Sequence, residues 1–277
     1  MKRKTKIIIV SILISIVALF GIVYLYMSSG EIPEDGKGQW LTEYLVAHRG
    51  LFDDEHPENS LGAFARAIEM GYAIELDVLL SKDEEVMVFH DLNLERLTGD
   101  PRDINEVESS ELKAMHINNT EYSIPTMKEV LEFVDGQVPI LIEIKNVKDI
   151  NLLGERLYEV IKGYEGDISV QSFNPFVLSW YKENAPEILR GQFSGGLKDD
   201  ETIKWYEKFL LTHLMVNFKS RPNYVGYAVD ELDYFRLSSL RRSGIPVVAW
   251  TVNDSSKLEE ALDKSDSIIF DSIDELF

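Results

Sequence analysis

Strand-like and helix-like segments alternate along most of this 277-residue chain, and this alternation restricts the fold more than any other feature. Stretches rich in Val and Ile are separated by amphipathic stretches with helix-start and helix-stop residues. Examples are the segment capped by Ser60 that ends at Gly71 and the segment opened by a Thr126–Glu129 capping-box pattern. Strands that alternate with helices predict βαβ units and a parallel sheet. The predicted strands are Tyr44–Ala47, Ala73–Leu80, Val86–Phe89, Pro139–Ile144, Ile168–Phe173, Leu189–Phe193, Leu214–Phe218, Val247–Val252 and Ser267–Phe270.

Nine predicted strands exceed by one the eight strands of a (β/α)8 barrel. Only residues 81–85 separate the second strand from the third, which is far too few for a parallel crossover. These two strands are therefore predicted to form a hairpin with its turn near Asp83–Glu84, which places His90 opposite Asp77. The remaining eight strands predict an α/β fold, a TIM-like (β/α)8 barrel with a β-hairpin addition. An open Rossmann-like sheet is the alternative, but no G-x-G-x-x-G follows any strand.

An apolar run near the N-terminus lies outside this pattern. Ile7–Met27 carries no charged residue and follows four basic residues; at about 1.5 Å per residue, a helix of this length spans the roughly 30 Å of a bilayer core. The basic flank predicts a single-pass protein of the cell membrane with a cytoplasmic N-terminus and an extracytoplasmic main domain. A cleaved signal peptide is the alternative, although its apolar region is normally only about 7–15 residues long. We predict a cytoplasmic basic tail (1–6), a transmembrane helix (7–27), a solvated linker (28–43) and the barrel (44–277).

Charge and cysteine content exclude several classes of function. The chain has 28 Lys and Arg against 48 Asp and Glu, a formal net charge of −20, so it repels nucleic acid at long range and no nucleic-acid partner is expected. It has no cysteine, which excludes disulfides and thiolate chemistry. No sequence feature implies a protein partner. An anionic substrate would have to be held by local cations.

The grouping of two histidines and two carboxylates carries the chemical information. Glu75 and Asp77 lie two residues apart on the second predicted strand, so their side chains point to one face. Neighbouring carboxylates repel each other unless a cation lies between them, and oxygen ligands suit hard divalent ions. His48 and His90 fall at the ends of the first and third predicted strands, on either side of the second, and imidazoles beside a metal suit acid–base chemistry near neutral pH. This grouping predicts a metal-assisted hydrolase site.

Further candidates fall at or near the ends of other predicted strands, where chemistry is located in barrels of this kind. Each has a plain structural interpretation on its own: a charged residue there is often only the polar face of a strand, and a tryptophan is often part of the core. Six charged groups at successive strand ends of one sheet are harder to explain as coincidence. The additional candidates are Arg49, Glu143, Lys145, Gln171 and Trp250.

From Val46 to the C-terminus the chain resembles the glycerophosphodiester phosphodiesterase family, in a membrane-anchored bacterial form. The resemblance covers almost the whole domain after the linker, and its departures are small: Ser60 where Thr is usual, no Gly in the hairpin turn, and Phe270 before Asp271. The motifs that carry it are His48-Arg49-Gly50, Pro57-Glu58-Asn59-Ser60, Glu75-Leu76-Asp77-Val78, His90-Asp91 with Leu94 and Arg96-Leu97-Thr98, Ile124-Pro125-Thr126, Glu143-Ile144-Lys145, Gln171-Ser172-Phe173, Trp250-Thr251-Val252-Asn253 and Ile268-Ile269-Phe270-Asp271.

The resemblance implies a function: metal-dependent hydrolysis of glycerophosphodiesters to glycerol 3-phosphate and an alcohol, through a cyclic phosphate. It also implies one divalent cation, Ca²⁺ or Mg²⁺. The implied roles are metal binding by Glu75, Asp77 and Glu143, acid–base catalysis by His48 and His90, substrate contact by Arg49, Lys145 and Trp250, and support from Glu58, Asn59 and Gln171.

Two alternatives remain open at this point. The same chemistry would serve a lysophospholipase D or a hydrolase of glycerol-phosphate wall polymers such as teichoic acid, and a membrane anchor would bring the site near both substrates. A surface module that binds glycerophosphate groups without catalysis is the other, although the intact histidines and carboxylates argue against it.

Overall fold

The structure, a computed structural model, describes residues 3–34, 36–197 and 203–271, with side chains from residue 6 onward. The strands within these residues are β1 (Val46–Ala47), β2 (Ala73–Leu80), β3 (Val86–Val88), β4 (Ile140–Ile144), β5 (Ile168–Ser172), β6 (Leu189–Ser194), β7 (Tyr224–Ala228), β8 (Val247–Val252) and β9 (Ser267–Phe270). The α-helices are α1 (Arg3–Met27), α2 (Leu61–Met70), α3 (Glu95–Thr98), α4 (Ser109–Leu112), α5 (Met127–Val134), α6 (Ile150–Ile161), α7 (Pro175–Asn184), α8 (Trp205–Thr212), α9 (Asn217–Ser220), α10 (Phe235–Arg242) and α11 (Ser255–Lys264). Short 3-10 helices cover Gln39–Thr42, Ile104–Glu106 and Val229–Glu231.

Eight parallel strands close into a barrel. Neighbouring strands follow the order β1-β9-β8-β7-β6-β5-β4-β2, and β1 also pairs with β2, which closes the ring. Strand β3 pairs antiparallel with β2 on the outside of this ring. The predicted TIM-like barrel with a β-hairpin addition is confirmed.

The helix boundaries follow from local capping chemistry. Ser60 Oγ accepts a hydrogen bond from Ala63 N at 3.2 Å at the start of α2, and the helix ends at Gly71, whose φ of 71° is the left-handed conformation that glycine adopts without strain. Thr126 and Glu129 form a reciprocal capping box at the start of α5. Both helices therefore begin where the sequence predicts.

The seventh predicted strand, Leu214–Phe218, is wrong. Leu214 adopts a left-handed φ of 55° and the residues after it form α9, whereas the strand is β7, a few residues later. A glycine inside a strand pattern normally weakens that prediction, and β7 contains Gly226. A Cβ at Gly226 would lie 2.1 Å from Phe193 Cε1, so the glycine makes room for the Phe193 ring.

The predicted hairpin is present but its register is shifted by one residue. Val78 pairs with Val88 and Leu80 with Val86, and Phe89 N donates to Asp77 O at 3.0 Å. Phe89, and not His90, therefore lies opposite Asp77. The turn is centred on Asp83 alone, because five residues connect the two strands, and His90 lies beyond the end of β3.

The N-terminal end of the barrel is closed by apolar side chains. Trp40 and Leu41, 5% and 1% exposed, pack against inward-facing residues near the strand starts, including Val46, Leu141 and Leu189. A larger apolar core fills the layer between the barrel and the surrounding helices. The opposite, C-terminal end of the barrel is left for polar groups.

Helix α1 is apolar and its described side chains are largely exposed. The stretch Lys6–Met27 has a mean hydropathy of 2.9 and is long and apolar enough to cross a membrane, a test that signal sequences also pass. Part of the segment after it, predicted as a solvated linker, is packed against the barrel. Ser28 is buried and accepts a hydrogen bond from Arg236 Nε at 2.8 Å, and Glu31 pairs with Arg190 at 3.0 Å.

Candidate active site

Three buried carboxylates meet at the C-terminal end of the barrel. Glu75 and Asp77 lie on one face of β2 and are each 1% exposed, and Glu143 lies on the neighbouring strand β4, in register with Asp77. Oxygen atoms of the three carboxylates lie within 4.8 Å of one another. Burial and the charge of Asp77 raise the pKa of Glu75 to about 8. The repulsion in this cluster is what a cation would relieve.

Two cations border the carboxylates. Lys145 Nζ lies 3.0 Å from Glu143 Oε1 and 3.3 Å from Asp77 Oδ1, and Arg49 Nε lies 3.4 Å from Asp77 Oδ2. Burial would lower the pKa of Lys145, but the charges of Asp77 and Glu143 outweigh it and raise that pKa. Burial alone would raise the pKa of Asp77, and the charge of Lys145 is the main cause that lowers it. Asp77 is therefore held ionised.

Amide side chains fix two of the carboxylates. Asn59 Nδ2 donates to Asp77 Oδ2 at 3.0 Å, and Asp77 N donates to Asn59 Oδ1 at 3.2 Å. Gln171 Nε2 donates to Glu75 Oε1 at 3.2 Å, and Tyr224 OH donates to Gln171 Oε1 at 2.9 Å. The Asn59 side chain thus supports Asp77, and its backbone N also donates to Arg49 O at 2.9 Å.

His48 lies directly after β1, between Asp271 and Glu75. Its Nδ1 is 2.6 Å from Asp271 Oδ1, and its Nε2 is 3.9 Å from Glu75 Oε2. Burial would lower the pKa of His48, but the hydrogen bond to Asp271 and the charge of Glu75 raise it above its usual value. With Asp271 bound at Nδ1, the other ring nitrogen, Nε2, faces the carboxylate cluster.

His90 has the same arrangement on the other side of the site. Its Nδ1 lies 2.6 Å from Asp91 Oδ1, and Arg96 Nε donates to Asp91 Oδ2 at 2.5 Å. Arg96 also donates to both oxygens of Glu58 at 2.8 Å, and Glu58 accepts from Arg49 Nη1 at 2.7 Å. A chain of charged hydrogen bonds therefore joins the surroundings of His90 to Arg49.

Trp250, on β8, lies in an aromatic group. Its ring stacks on Phe193 at 5.7 Å with an interplanar angle of 6° and meets Phe173 edge-on at 5.3 Å. The side chain is half-buried, and its Nε1 has no hydrogen-bond partner among the described residues. It is packed as a core residue on one face and remains partly exposed.

Sequence reasoning did not assign four residues of the site's hydrogen-bond network: Asp91, Arg96, Tyr224 and Asp271. Asp91 and Arg96 belong to the motif that begins at His90, so their place in that motif could have indicated a role in the site. Asp271 is 223 positions from His48, and only the pairing of β1 with β9 brings the two together.

The fold and the site define a class: a TIM-barrel hydrolase with an acidic site at the C-terminal ends of its strands, of a composition that could bind a metal ion. The comparisons with known proteins agree. Residues 48–275 match the model of the glycerophosphoryl diester phosphodiesterase family. The chain is 29% identical over 242 residues to the glycerophosphodiester phosphodiesterase of Caldanaerobacter subterraneus, covering 82% of this chain and 93% of that protein. It is 32% identical over 257 residues to lysophospholipase D GDPD1 of Rattus norvegicus, with 79% of each covered.

A solved structure has the same architecture. The phosphodiesterase of Oleispira antarctica, in complex with the product sn-glycerol-3-phosphate, superposes with a TM-score of 0.71 at 26% identity, over 84% of this chain and 94% of that one. The chain belongs to the glycerophosphoryl diester phosphodiesterase family and is an enzyme of that class.

Proposed function

We propose that the protein hydrolyses glycerophosphodiesters to glycerol 3-phosphate and an alcohol, with His48 and His90 as the acid–base pair. One observation carries the proposal: two histidines, each bonded through Nδ1 to a carboxylate, border three buried carboxylates at the C-terminal end of the barrel. The glycerol 3-phosphate in the Oleispira antarctica structure supports the substrate class.

The hydrogen bonds at Nδ1 give each histidine a defined role. Asp271 and Asp91 accept the Nδ1 proton of His48 and His90, so Nε2 of each ring is the atom that accepts or releases a proton. Each carboxylate also stabilises the imidazolium that forms. One histidine then serves as base while the other serves as acid.

Two steps complete the reaction. In the first, the glycerol hydroxyl next to the phosphodiester gives its proton to one histidine as its oxygen bonds to phosphorus, the P–O bond to the alcohol breaks, and the other histidine protonates the departing alcohol. In the second, water gives its proton to the second histidine and attacks the cyclic phosphate, whose ring P–O bond breaks as the first histidine returns the proton. Both histidines end in their initial states.

Arg49 and Lys145 would hold the phosphate oxygens. Each is a half-buried cation next to the carboxylates, with a side chain less than one-quarter exposed, so a phosphate between them would be partly shielded from water. Charge on the phosphate oxygens is stabilised more strongly there than in solution.

Glu75, Asp77 and Glu143 would hold one divalent cation, Ca²⁺ or Mg²⁺. The donor set is three carboxylates, the oxygen ligands both ions prefer. Asp77 Oδ1 is buried and, in the described part of the chain, has an ion pair with Lys145 at 3.3 Å but no hydrogen-bond partner. When bound, the ion supplies positive charge that stabilises negative charge on the phosphate oxygens.

The cellular location of the protein, and its division into a basic tail, a transmembrane helix, a linker and a barrel, are part of the same proposal. Helix α1 would anchor the chain in the cell membrane with its N-terminus in the cytoplasm and the barrel outside, and the helix length and hydropathy support this. The same chemistry would also serve lysophospholipids, as the name of the Rattus norvegicus relative suggests, or glycerol-phosphate wall polymers.

Phosphorus NMR of the full chain acting on glycerophosphocholine tests the proposal. We expect the substrate resonance to be replaced by that of glycerol 3-phosphate, with a transient cyclic phosphate. Phosphocholine as the product would contradict the proposed bond cleavage. Glycerol 3-phosphate without any cyclic phosphate, even in variants slowed in the second step, would contradict the two-step route only.

A further inference from the structure

The barrel contacts α1 inside the apolar stretch that is suited to a bilayer. Tyr24 OH and Tyr234 OH form a hydrogen bond, and the ring centres of Tyr24 and Phe235 are 6.3 Å apart. Tyr24 comes three residues before Met27, the last residue of the apolar stretch, which is about 4.5 Å along a helix. If α1 crosses a membrane, the start of α10 therefore lies at the depth of the bilayer surface.

Polar contacts hold this junction in one arrangement. Arg236 Nε donates to Ser28 Oγ at 2.8 Å and its Nη2 donates to Leu25 O at 3.2 Å, so a side chain of the barrel satisfies the C-terminal end of α1. Arg221 Nη1 donates to Ser29 Oγ at 2.5 Å. These contacts fix the direction in which α1 leaves the barrel, and so they fix which part of the barrel surface faces the membrane.

A row of aromatic side chains runs from this junction along the barrel surface. The ring centres of Phe235 and Tyr234 are 5.2 Å apart, and His213 meets Tyr234 edge-on at 5.6 Å. His213 in turn stacks on Phe209 at 4.2 Å. Trp205, four residues before Phe209, lies one turn away on the same face of α8. The aromatic strip consists of Trp205, Tyr206, Phe209, His213, Tyr234 and Phe235.

The aromatic strip leaves large rings in contact with solvent. Trp205 is 80% exposed, Phe235 65% and Phe209 50%. Among the described residues after α1, four of the seven exposed Phe, Tyr and Trp side chains belong to the strip, so the exposed rings are gathered and not scattered. A gathered apolar patch marks an interaction surface. Beside the end of a membrane-crossing helix, aromatic rings are typical of the layer where bilayer and water meet.

The charge of this region is opposite to that of the whole chain. Residues 204–221, which include α8 and α9, contain four Lys and Arg and one Glu, whereas the chain has a net charge of −20. Two acidic residues near Tyr234 are paired with lysines of α11: Asp230 with Lys257 at 2.7 Å, and Asp233 with Lys264. A basic residue near an anionic membrane surface strengthens binding about fivefold. This region therefore suits an anionic bilayer, which repels the rest of the barrel.

From these observations we propose that the aromatic strip lies on the surface of the bilayer that α1 crosses, with its rings among the headgroups of anionic lipids. The proposal rests on the proposed anchoring by α1 and adds an orientation to it. Helix α8 lies along the membrane, and the barrel is held against the bilayer instead of projecting from it on a free linker. None of the candidate catalytic residues belongs to the strip.

Quenching of Trp205 fluorescence by labelled lipid tests the proposal. The full chain is reconstituted into nanodiscs of phosphatidylcholine and phosphatidylglycerol, with or without a lipid that carries a nitroxide at its headgroup. The Trp205 signal is the difference between the unmodified chain and Trp205→Phe. We expect the nitroxide lipid to remove at least half of this signal, and less of it in nanodiscs of phosphatidylcholine alone. A Trp205 signal that the nitroxide lipid does not change would overturn the proposal.

A pair of matched variants locates the contact. Phe235→Glu places a charge beside the end of α1 and is expected to lower the quenching of Trp205 at least twofold. Phe133→Glu is the control, because Phe133 is 39% exposed on α5 and lies outside the strip, and it should leave the quenching unchanged. Full quenching in the Phe235→Glu chain would contradict the contact. If Phe235→Glu does not fold, the measurement on the unmodified chain and Trp205→Phe still decides.

Further readouts on the same chain separate the possible failures. Extraction of the chain from vesicles by alkaline carbonate would contradict the anchoring by α1, and the membrane contact with it. Trp205 emission that is shifted to the blue but not quenched by the nitroxide lipid would show that a second copy of the chain covers the strip, which overturns the membrane contact alone. Absence of choline release from glycerophosphocholine would contradict the proposed hydrolysis, whereas quenching of Trp205 in the same sample would still support the strip.

Discussion

The two ends of this barrel are built from the same strands but serve different purposes. On β4, Leu141 packs into the apolar closure at the N-terminal end and Glu143, two residues later on the same face, joins the carboxylate cluster. On β2, Ala73 lies at the apolar end, whereas Glu75 and Asp77 lie in the cluster. A step of two residues along a strand, about 7 Å, separates a side chain of the apolar closure from a side chain of the carboxylate cluster.

The difference shows how the fold supports a charged site. Burying three carboxylates costs free energy, which the rest of the fold must offset. The apolar closure under Trp40 is part of that compensation, because it removes large apolar surfaces from water. Stability should therefore respond mainly to substitutions at the N-terminal end of the barrel, and activity to substitutions at the C-terminal end.

The largest expected effect is on turnover. His48→Asn or His90→Asn should lower kcat by roughly 10²–10⁴, because a proton donor or acceptor is lost, while the melting temperature changes little. Steady-state hydrolysis of glycerophosphocholine measures the loss. His116→Asn is the matched control, since His116 is exposed and lies outside the site. Near-wild-type turnover in either site variant would contradict its assigned role.

The next effect concerns stability at the opposite end. Trp40→Ala should reduce the free energy of unfolding by about 3–5 kcal/mol, the range for deleting a buried aromatic side chain, with kcat within a few-fold of the unmodified chain. Urea unfolding measures the free energy of unfolding, and a separate steady-state assay in buffer measures kcat. Trp205→Ala is the control: Trp205 is 80% exposed, so its removal should cost less than about 0.5 kcal/mol. A large loss of kcat in a fully stable Trp40→Ala chain would break the separation.

A smaller effect is expected on metal affinity. Asn59→Gly removes the amide that holds Asp77 and keeps the left-handed backbone, since φ at Asn59 is 55°. Supporting residues of this kind are worth about 10–100-fold in metal affinity. Calorimetric titration with Ca²⁺ measures it. Asn119→Gly, at an exposed position with a φ of 58°, should leave the affinity unchanged, and an equal loss in both variants would point to backbone effects alone.

The smallest effect is a shift in titration. Asp271→Asn removes the negative charge that raises the pKa of His48 and replaces the carboxylate acceptor with a weaker amide oxygen, while the burial that lowers the pKa remains. The pKa of His48 should therefore fall, and its imidazolium should lose its proton at lower pH than in the unmodified chain. NMR titration of the metal-free chain measures this, with the His90 signal as an internal reference. A rise in the His48 pKa would contradict the proposed pairing.

Much of this architecture is visible in local sequence patterns. The i, i+2 spacing of Glu75 and Asp77 fixes their common face in any strand, and the five-residue connection after Leu80 requires a hairpin. The capping residues Ser60 and Thr126 mark helix starts through contacts within one turn of the chain. These features depend on neighbours in sequence, so sequence analysis reaches them.

The features that local sequence patterns do not predict depend on contacts between residues far apart in the chain. Gly226 weakens the strand prediction for residues 224–228, and only the folded structure shows that the Phe193 ring fills the space beside this glycine. The partner of His48 is Asp271, which only barrel closure brings near. The hairpin register differs by one residue because the turn is centred on one residue and not between two, and local propensity does not distinguish the two forms.

The most direct test of the account is the metal dependence of glycerol 3-phosphate release. The full chain is stripped of metal with a chelator and assayed on glycerophosphocholine with Ca²⁺, Mg²⁺ or neither restored. We expect release to be lost on stripping, to return with one of the two ions, and not to return in a Glu75→Gln chain. Undiminished release from the stripped chain without any added ion would contradict the central claim that the carboxylate cluster acts as a metal site.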